Sequence, residues 1–221
     1  MEKEFKERES LIDRSFVYKV RALYQRDSNL PKLIDDDKIP NQSMDKYHVD
    51  LKILIDQGKN KAQENIELKA LFDKFNDQKA CSKVLISGGP GMGKTTLLQY
   101  ISYKWSKGDL FSDKFDYVFI VSLKSLTSDP QLFPPKLIEN LDIFEKLILD
   151  SLESQRLQSG GDEFDSNDIA KIKEIISSNK DRTLLLLDGY DEVAHLAKEI
   201  RFKKIFELIF KCPNIIMTSR P

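Results

Sequence analysis

Gly88-Gly89-Pro90-Gly91-Met92-Gly93-Lys94-Thr95 is the stretch whose reading decides the fold, because it fits the pattern G-x-x-x-x-G-K-[ST] at every fixed position. With glycine at about 7% of ordinary usage, a chance match in a chain of this length is on the order of one per cent. The flanks also agree. Before it, Lys83-Val84-Leu85-Ile86-Ser87 reads as a strand, and after it Leu97, Leu98, Ile101 and Trp105 recur at helical spacing. Strand, glycine-rich turn and helix is the order that phosphate binding requires. Glycines let the backbone wrap an anion with its N–H groups pointing inward, and the helix N-terminus adds a partial positive charge. Lys94 is expected to reach the β- and γ-phosphates, and the Thr95 hydroxyl to ligate Mg²⁺. Gly88, Gly89, Pro90, Gly91, Met92, Gly93, Lys94, Thr95 and Thr96 are the candidate nucleotide-binding residues.

Working outward, apolar runs at 84–87, 117–123, 183–188 and 214–219 are rich in Val, Ile, Leu and Phe, and read as strands buried on both faces. Helical stripes lie between them: Leu137, Leu141, Phe144 and Ile148; Ile169, Ile172 and Ile176; Phe202, Ile205, Phe206 and Ile209. Such alternation predicts a parallel sheet with helices on both sides. Residues 128–135 and 158–168, heavy in Pro, Gly, Ser and Asp, read as loops. Residues 1–80 are a polar, mostly helical lead. Opposite charges meet at i,i+4 within residues 2–9, and Ile12, Phe16, Val20, Leu23 and Tyr24 form one apolar stripe. Pro31 and Pro40 bracket an acidic loop, and a further helix is expected over 64–75, with Ile66, Ala70, Phe72 and Phe75 inward.

Composition narrows the function. The 35 Lys+Arg stand against 36 Asp+Glu, so no positive surplus favours nucleic acid. No apolar run approaches the ~20 residues of a membrane helix, and the charged start does not read as a signal peptide. The expectation is a cytoplasmic protein without nucleic-acid or membrane partners. Two cysteines, Cys81 and Cys212, and two histidines, His48 and His195, are too few and too scattered for a zinc site or a disulfide framework.

The second chemical signal is Leu184-Leu185-Leu186-Leu187-Asp188-Gly189-Tyr190-Asp191-Glu192. A carboxylate at the C-terminal end of a buried strand lies where open α/β sheets bind their ligands, so Asp188 is the candidate metal residue with Thr95. Gly189 lets the backbone turn. Asp191 and Glu192 then stand near the γ-phosphate, where one of them can orient or deprotonate the attacking water.

The phosphate loop continued through Thr96, followed by the split acidic motif Asp188-Gly189-x-Asp191-Glu192, resembles the NACHT family, a branch of the STAND class of signalling ATPases. Two further pieces agree. Residues 119–126 are similar to the family's second strand and the basic residue after it, with Lys124 where arginine is more usual. Residues 215–221 resemble its sensor 1 strand, with Arg220 as the polar reporter of the γ-phosphate. The resemblance covers about residues 45–221, leaving 1–44 as a helical lead of unknown role. It implies a three-layer P-loop NTPase with core strand order 1-4-3-2, a fifth strand not present before Pro221, and a winged-helix part further on whose histidine closes over the β-phosphate of ADP. Tyr47-His48-Val49-Asp50-Leu51 resembles the family's base-holding segment, and an edge strand explains it as well. The implied function is a Mg²⁺-dependent ATP/ADP switch with slow hydrolysis that controls self-association in a defence or signalling protein. A nucleotide kinase or motor ATPase, and a non-hydrolysing nucleotide-binding scaffold, are the alternatives. Preference for ATP over GTP rests on the resemblance and on the lack of an Asn-Lys-x-Asp motif.

Overall fold

The computed structural model describes residues 14–26, 43–46, 67–72, 82–128 and 143–221. The charge pairs at 2–9, the acidic loop, segment 47–51, Ile12, Cys81, Leu137 and Leu141 lie outside the described residues.

Strands β1 (Lys83–Ser87), β2 (Tyr117–Ser122), β3 (Thr183–Asp188) and β4 (Asn214–Ser219) form one all-parallel sheet in the order β1-β4-β3-β2. This is the expected core order. Parallel neighbours need long crossovers, and helices supply them: α2 (Lys94–Ser106), α3 (Ser125–Ser128), α4 (Ile143–Ser159), α5 (Ser166–Ser178), α6 (Tyr190–Val193) and α7 (Ile200–Lys211), preceded by α1 (Arg14–Arg26). Successive side chains of a strand point to opposite faces, and every residue of β3 up to Leu187 and of β2 up to Val121 is buried, so helices cover both faces there. Helix α2 packs on β2 and β3, and α4 packs on β2, α5 and α7.

Strand β1 departs from the expected two-sided burial. Among the described residues it pairs with β4 alone, and its side chains alternate between exposed and half-buried, with Leu85 58% exposed. Two loop expectations shift as well. Helix α4 runs on to Ser159, and α5 starts at Ser166 because Asp165 and Asp168 form a reciprocal capping box, which leaves only 160–165 as loop. Ser128 ends α3, and residues 129–135 of the other expected loop lie outside the described residues. Within the helix expected over 64–75, the described part is a 3-10 turn, Leu68–Ala70. After it Leu71 and Phe72 are buried, with Phe72 edge-on to Phe111 and Phe115.

Helix α1 shares the core of the sheet. Phe16, Val20, Leu23 and Tyr24 are buried in one cluster with β2 and α2, which is where the apolar stripe docks. Tyr24 has the most specific contact. Its hydroxyl donates to the Val118 carbonyl at 3.1 Å and accepts from the Ile120 N–H at 3.2 Å, two backbone groups on the side of β2 that no strand pairs among the described residues. Lys19 adds an ion pair with buried Asp168 at 3.4 Å. A second anchor precedes the phosphate loop. Asp45, in the turn Met44–Lys46, accepts from Lys104 Nζ (2.9 Å), the Tyr103 hydroxyl (2.8 Å) and Lys107 Nζ (3.1 Å), all on or just after α2. Lys104 first, then Tyr103 and Lys107, hold its carboxyl well below the usual carboxylate range.

Candidate functional site

Because the four strands run parallel, their C-terminal ends share one edge of the sheet, and the two sequence motifs meet there. The loop after β1 turns sharply at Gly91 (φ 74°) and Gly93 (φ 78°), left-handed conformations that side chains resist. Gly93 is also the N-cap of α2, so the first turn of that helix, with Lys94, Thr95 and half-buried Thr96, opens directly from the loop. Pro90 and Met92 lie on the exposed side, Met92 at 73% exposure. The Lys94 ammonium curls over the loop and donates to the carbonyls of Gly88 (2.6 Å) and Gly89 (2.8 Å). The Gly89 N–H has the Met92 sulfur at 3.2 Å, a weak acceptor that an anion oxygen outcompetes.

Asp188 stands at the end of β3 beside Ser122 of β2 in register. Its Oδ2 accepts from the Thr95 hydroxyl at 2.7 Å, so the two residues expected to face the metal touch across 93 positions of sequence. Gly189 follows at φ 80°, ψ 46° and starts the short helix α6, which carries Asp191 and Glu192 to the same edge. Arg220, just past β4, is drawn to that pair. Its N–H donates to Asp191 Oδ1 at 3.0 Å, its Nε lies 3.3 Å from Asp191 Oδ2, and its guanidinium approaches Glu192 Oε1 at 3.8 Å. The structure therefore gathers Lys94, Thr95, Asp188, Asp191, Glu192 and Arg220 around one edge. His195 is exposed in the turn Ala194–Lys198, and Trp105 is a core residue whose indole N–H donates to the Phe115 carbonyl.

Sequence reasoning assigned no role to Thr218. It lies on β4, fully buried, and donates to Asp188 Oδ1 at 2.6 Å while accepting the Gly189 N–H at 3.1 Å. Its signal was a hydroxyl following the apolar run Ile215-Ile216-Met217, legible only with the strand order in hand.

Among the described residues no group of three or more His, Cys, Asp or Glu is gathered to hold a metal unaided. Thr95 and Asp188 do fit Mg²⁺, because they offer adjacent hard oxygens and leave the remaining positions for water and phosphate. No helix among the described residues is long and apolar enough to cross a membrane.

Comparison with known proteins agrees with this geometry. Residues 82–221 match the sequence model of the NACHT domain. The chain is similar to "NACHT, LRR and PYD domains-containing protein 10" of Mus musculus, 32% identical over 143 residues, which are 62% of this chain and 17% of that protein. The Homo sapiens protein of that name is 33% identical over 132 residues, 59% of this chain and 16% of its own length. "NACHT, LRR and PYD domains-containing protein 1a allele 1" of Rattus norvegicus is 29% identical over 135 residues, 61% and 9%. The matched part thus spans less than a fifth of these relatives. A match that takes in the phosphate loop, the acidic turn and the closing strand together places this chain in the NACHT family of nucleotide-binding signalling NTPases.

Proposed function

We propose that this chain binds ATP and ADP with Mg²⁺ at the sheet edge, hydrolyses ATP slowly, and uses the difference between the two nucleotides as a switch for self-association in a defence or signalling protein. The observation that carries the reading is the 2.7 Å contact between Thr95 of the phosphate loop and Asp188 of the acidic motif. It joins a polyphosphate cradle to a hard-oxygen cation site. The nucleotide-binding unit runs over about residues 45–221, with α1 docked on it in the same core.

Lys94 is placed to exchange the Gly88 and Gly89 carbonyls for phosphate oxygens, a change that adds charge-assisted hydrogen bonds without moving the helix. The N–H groups of the loop and of the α2 N-terminus complete the anion site. Bound Mg²⁺ supplies charge neutralisation and Lewis acidity at the phosphate oxygens. Asp191 and Glu192 orient or deprotonate the attacking water, and Arg220 detects the γ-phosphate once it leaves the acid pair. Titration with fluorescent ATP and ADP, with and without Mg²⁺, followed by single-turnover phosphate release, tests the reading. Absence of nucleotide binding would refute it, and binding without any phosphate release would favour the scaffold. Sedimentation with each nucleotide reads self-association.

A further inference from the structure

We infer that Thr218 is a positioning residue for the metal-facing carboxylate: it fixes the orientation in which Asp188 presents one oxygen to the phosphate loop. The inference rests on the Mg-nucleotide reading above. A threonine hydroxyl has one proton to give and lone pairs to receive. At Thr218 the Gly189 N–H occupies a lone pair at 3.1 Å, so the proton is directed to Asp188 Oδ1 at 2.6 Å. Oδ2 is left to face Thr95, which donates to it at 2.7 Å. The two oxygens are therefore assigned to different partners, and rotation of the carboxylate would break both contacts.

Three features hold the hydroxyl itself. Leu187 lies beside Met217 in the β3–β4 register, which brings Thr218 abreast of Asp188. On its other side β1 places Ile86 opposite Thr218. The residue is fully buried, and its branched Cβ restricts χ1. A buried strand position in this setting suits valine as well as threonine by shape, so the hydroxyl is distinguished by its two polar contacts. The same contacts tie the Asp188 carboxylate and the Gly189 turn, which launches Asp191 and Glu192, to the strand that leads into Arg220. Thr218 touches neither nucleotide nor metal in this role and acts through Asp188.

Thr218→Val keeps the shape and removes the hydroxyl, Thr218→Ser keeps the hydroxyl, and Thr218→Ala removes it without any risk of crowding. Affinity for fluorescent ADP is measured in excess Mg²⁺ and in EDTA for the parent and each variant, with folding followed by circular dichroism. The ratio of the two affinities is expected to fall about 10-fold or more in Thr218→Val and Thr218→Ala, as when a metal ligand loses its outer partner. Affinity in EDTA should stay within about twofold of the parent, and Thr218→Ser should keep the parent's ratio. An unchanged ratio in the Val and Ala variants overturns the inference, and so does an equal loss in Mg²⁺ and EDTA, which marks a merely structural role. If Thr218→Val does not fold, the Ala and Ser variants decide by the same criteria. A parent whose affinity ignores Mg²⁺ instead overturns the underlying Mg-nucleotide reading, and this inference with it.

Discussion

Replacing Tyr24 by Phe removes one oxygen atom from the interface between α1 and the sheet and leaves the ring packing intact. That oxygen serves the Val118 carbonyl and the Ile120 N–H, 3.1 and 3.2 Å away, and the residue is 2% exposed. The ring stays edge-on to Trp105 at 6.3 Å in either case, so the change isolates the hydrogen bonds. Each buried backbone group left without a partner costs about 1–3 kcal/mol, and losing the phenol's own desolvation penalty offsets part of that. A net destabilisation of about 2–3 kcal/mol follows. For a domain of this size, melting shifts by about 2–4 °C per kcal/mol, so Tm should fall by about 5–10 °C. Urea unfolding followed by circular dichroism should show a lower midpoint at unchanged slope. Tyr18→Phe, on the same helix but 70% exposed, is the control and should stay within about 0.5 kcal/mol of the parent. If Tyr24→Phe matched that control, α1 would be an appendage and not the cover of the β2 edge.

Lys94→Ala should weaken Mg-nucleotide binding by about 100-fold or more with the fold retained, since both loop carbonyls it caps can turn to water; fluorescent ATP titration beside circular dichroism checks it. Asp188→Asn should lose the Mg²⁺-dependent part of the affinity, whereas Asp191→Asn or Glu192→Gln should keep binding and slow single-turnover hydrolysis by about 100-fold or more. Equal hydrolysis in all three would reduce the acidic motif to a loop. Burial pushes the Cys212 thiol up from 9.0 to about 11, so the native chain keeps a proton that the unfolded chain releases. Its contribution is full below pH 9 and declines by about 1.4 kcal/mol per pH unit from pH 9 to pH 11. Denaturant midpoints across that window should show the decline, and Cys212→Ala should flatten it between pH 9 and pH 10, before Tyr24 begins to titrate in the unfolded chain. Burial likewise raises the Tyr24 phenol above its ordinary 10.0, so its contribution declines from pH 10 upward.

Local chemistry was written plainly in the sequence. A strand, a loop with glycines at the left-handed positions 91 and 93, and a helix starting at Lys94 need only neighbours in the chain, and so does a carboxylate closing an apolar run at Asp188. Strand order followed from the family resemblance, and the all-parallel sheet agrees with it. Tertiary structure alone decided the partnerships. Tyr24 meets Ile120 across 96 positions, Thr95 meets Asp188 across 93, and Thr218 meets Asp188 across 30. It also decided that β1 is half-exposed among the described residues, that Asp45 clamps the turn Met44–Lys46 to α2, and that Arg220 rests on the acid pair. The physical reason is one of range. Backbone conformation and side-chain periodicity are set by adjacent residues, whereas the partner of a hydroxyl or a carboxylate is set by strand register and helix docking, which no contiguous window of sequence contains.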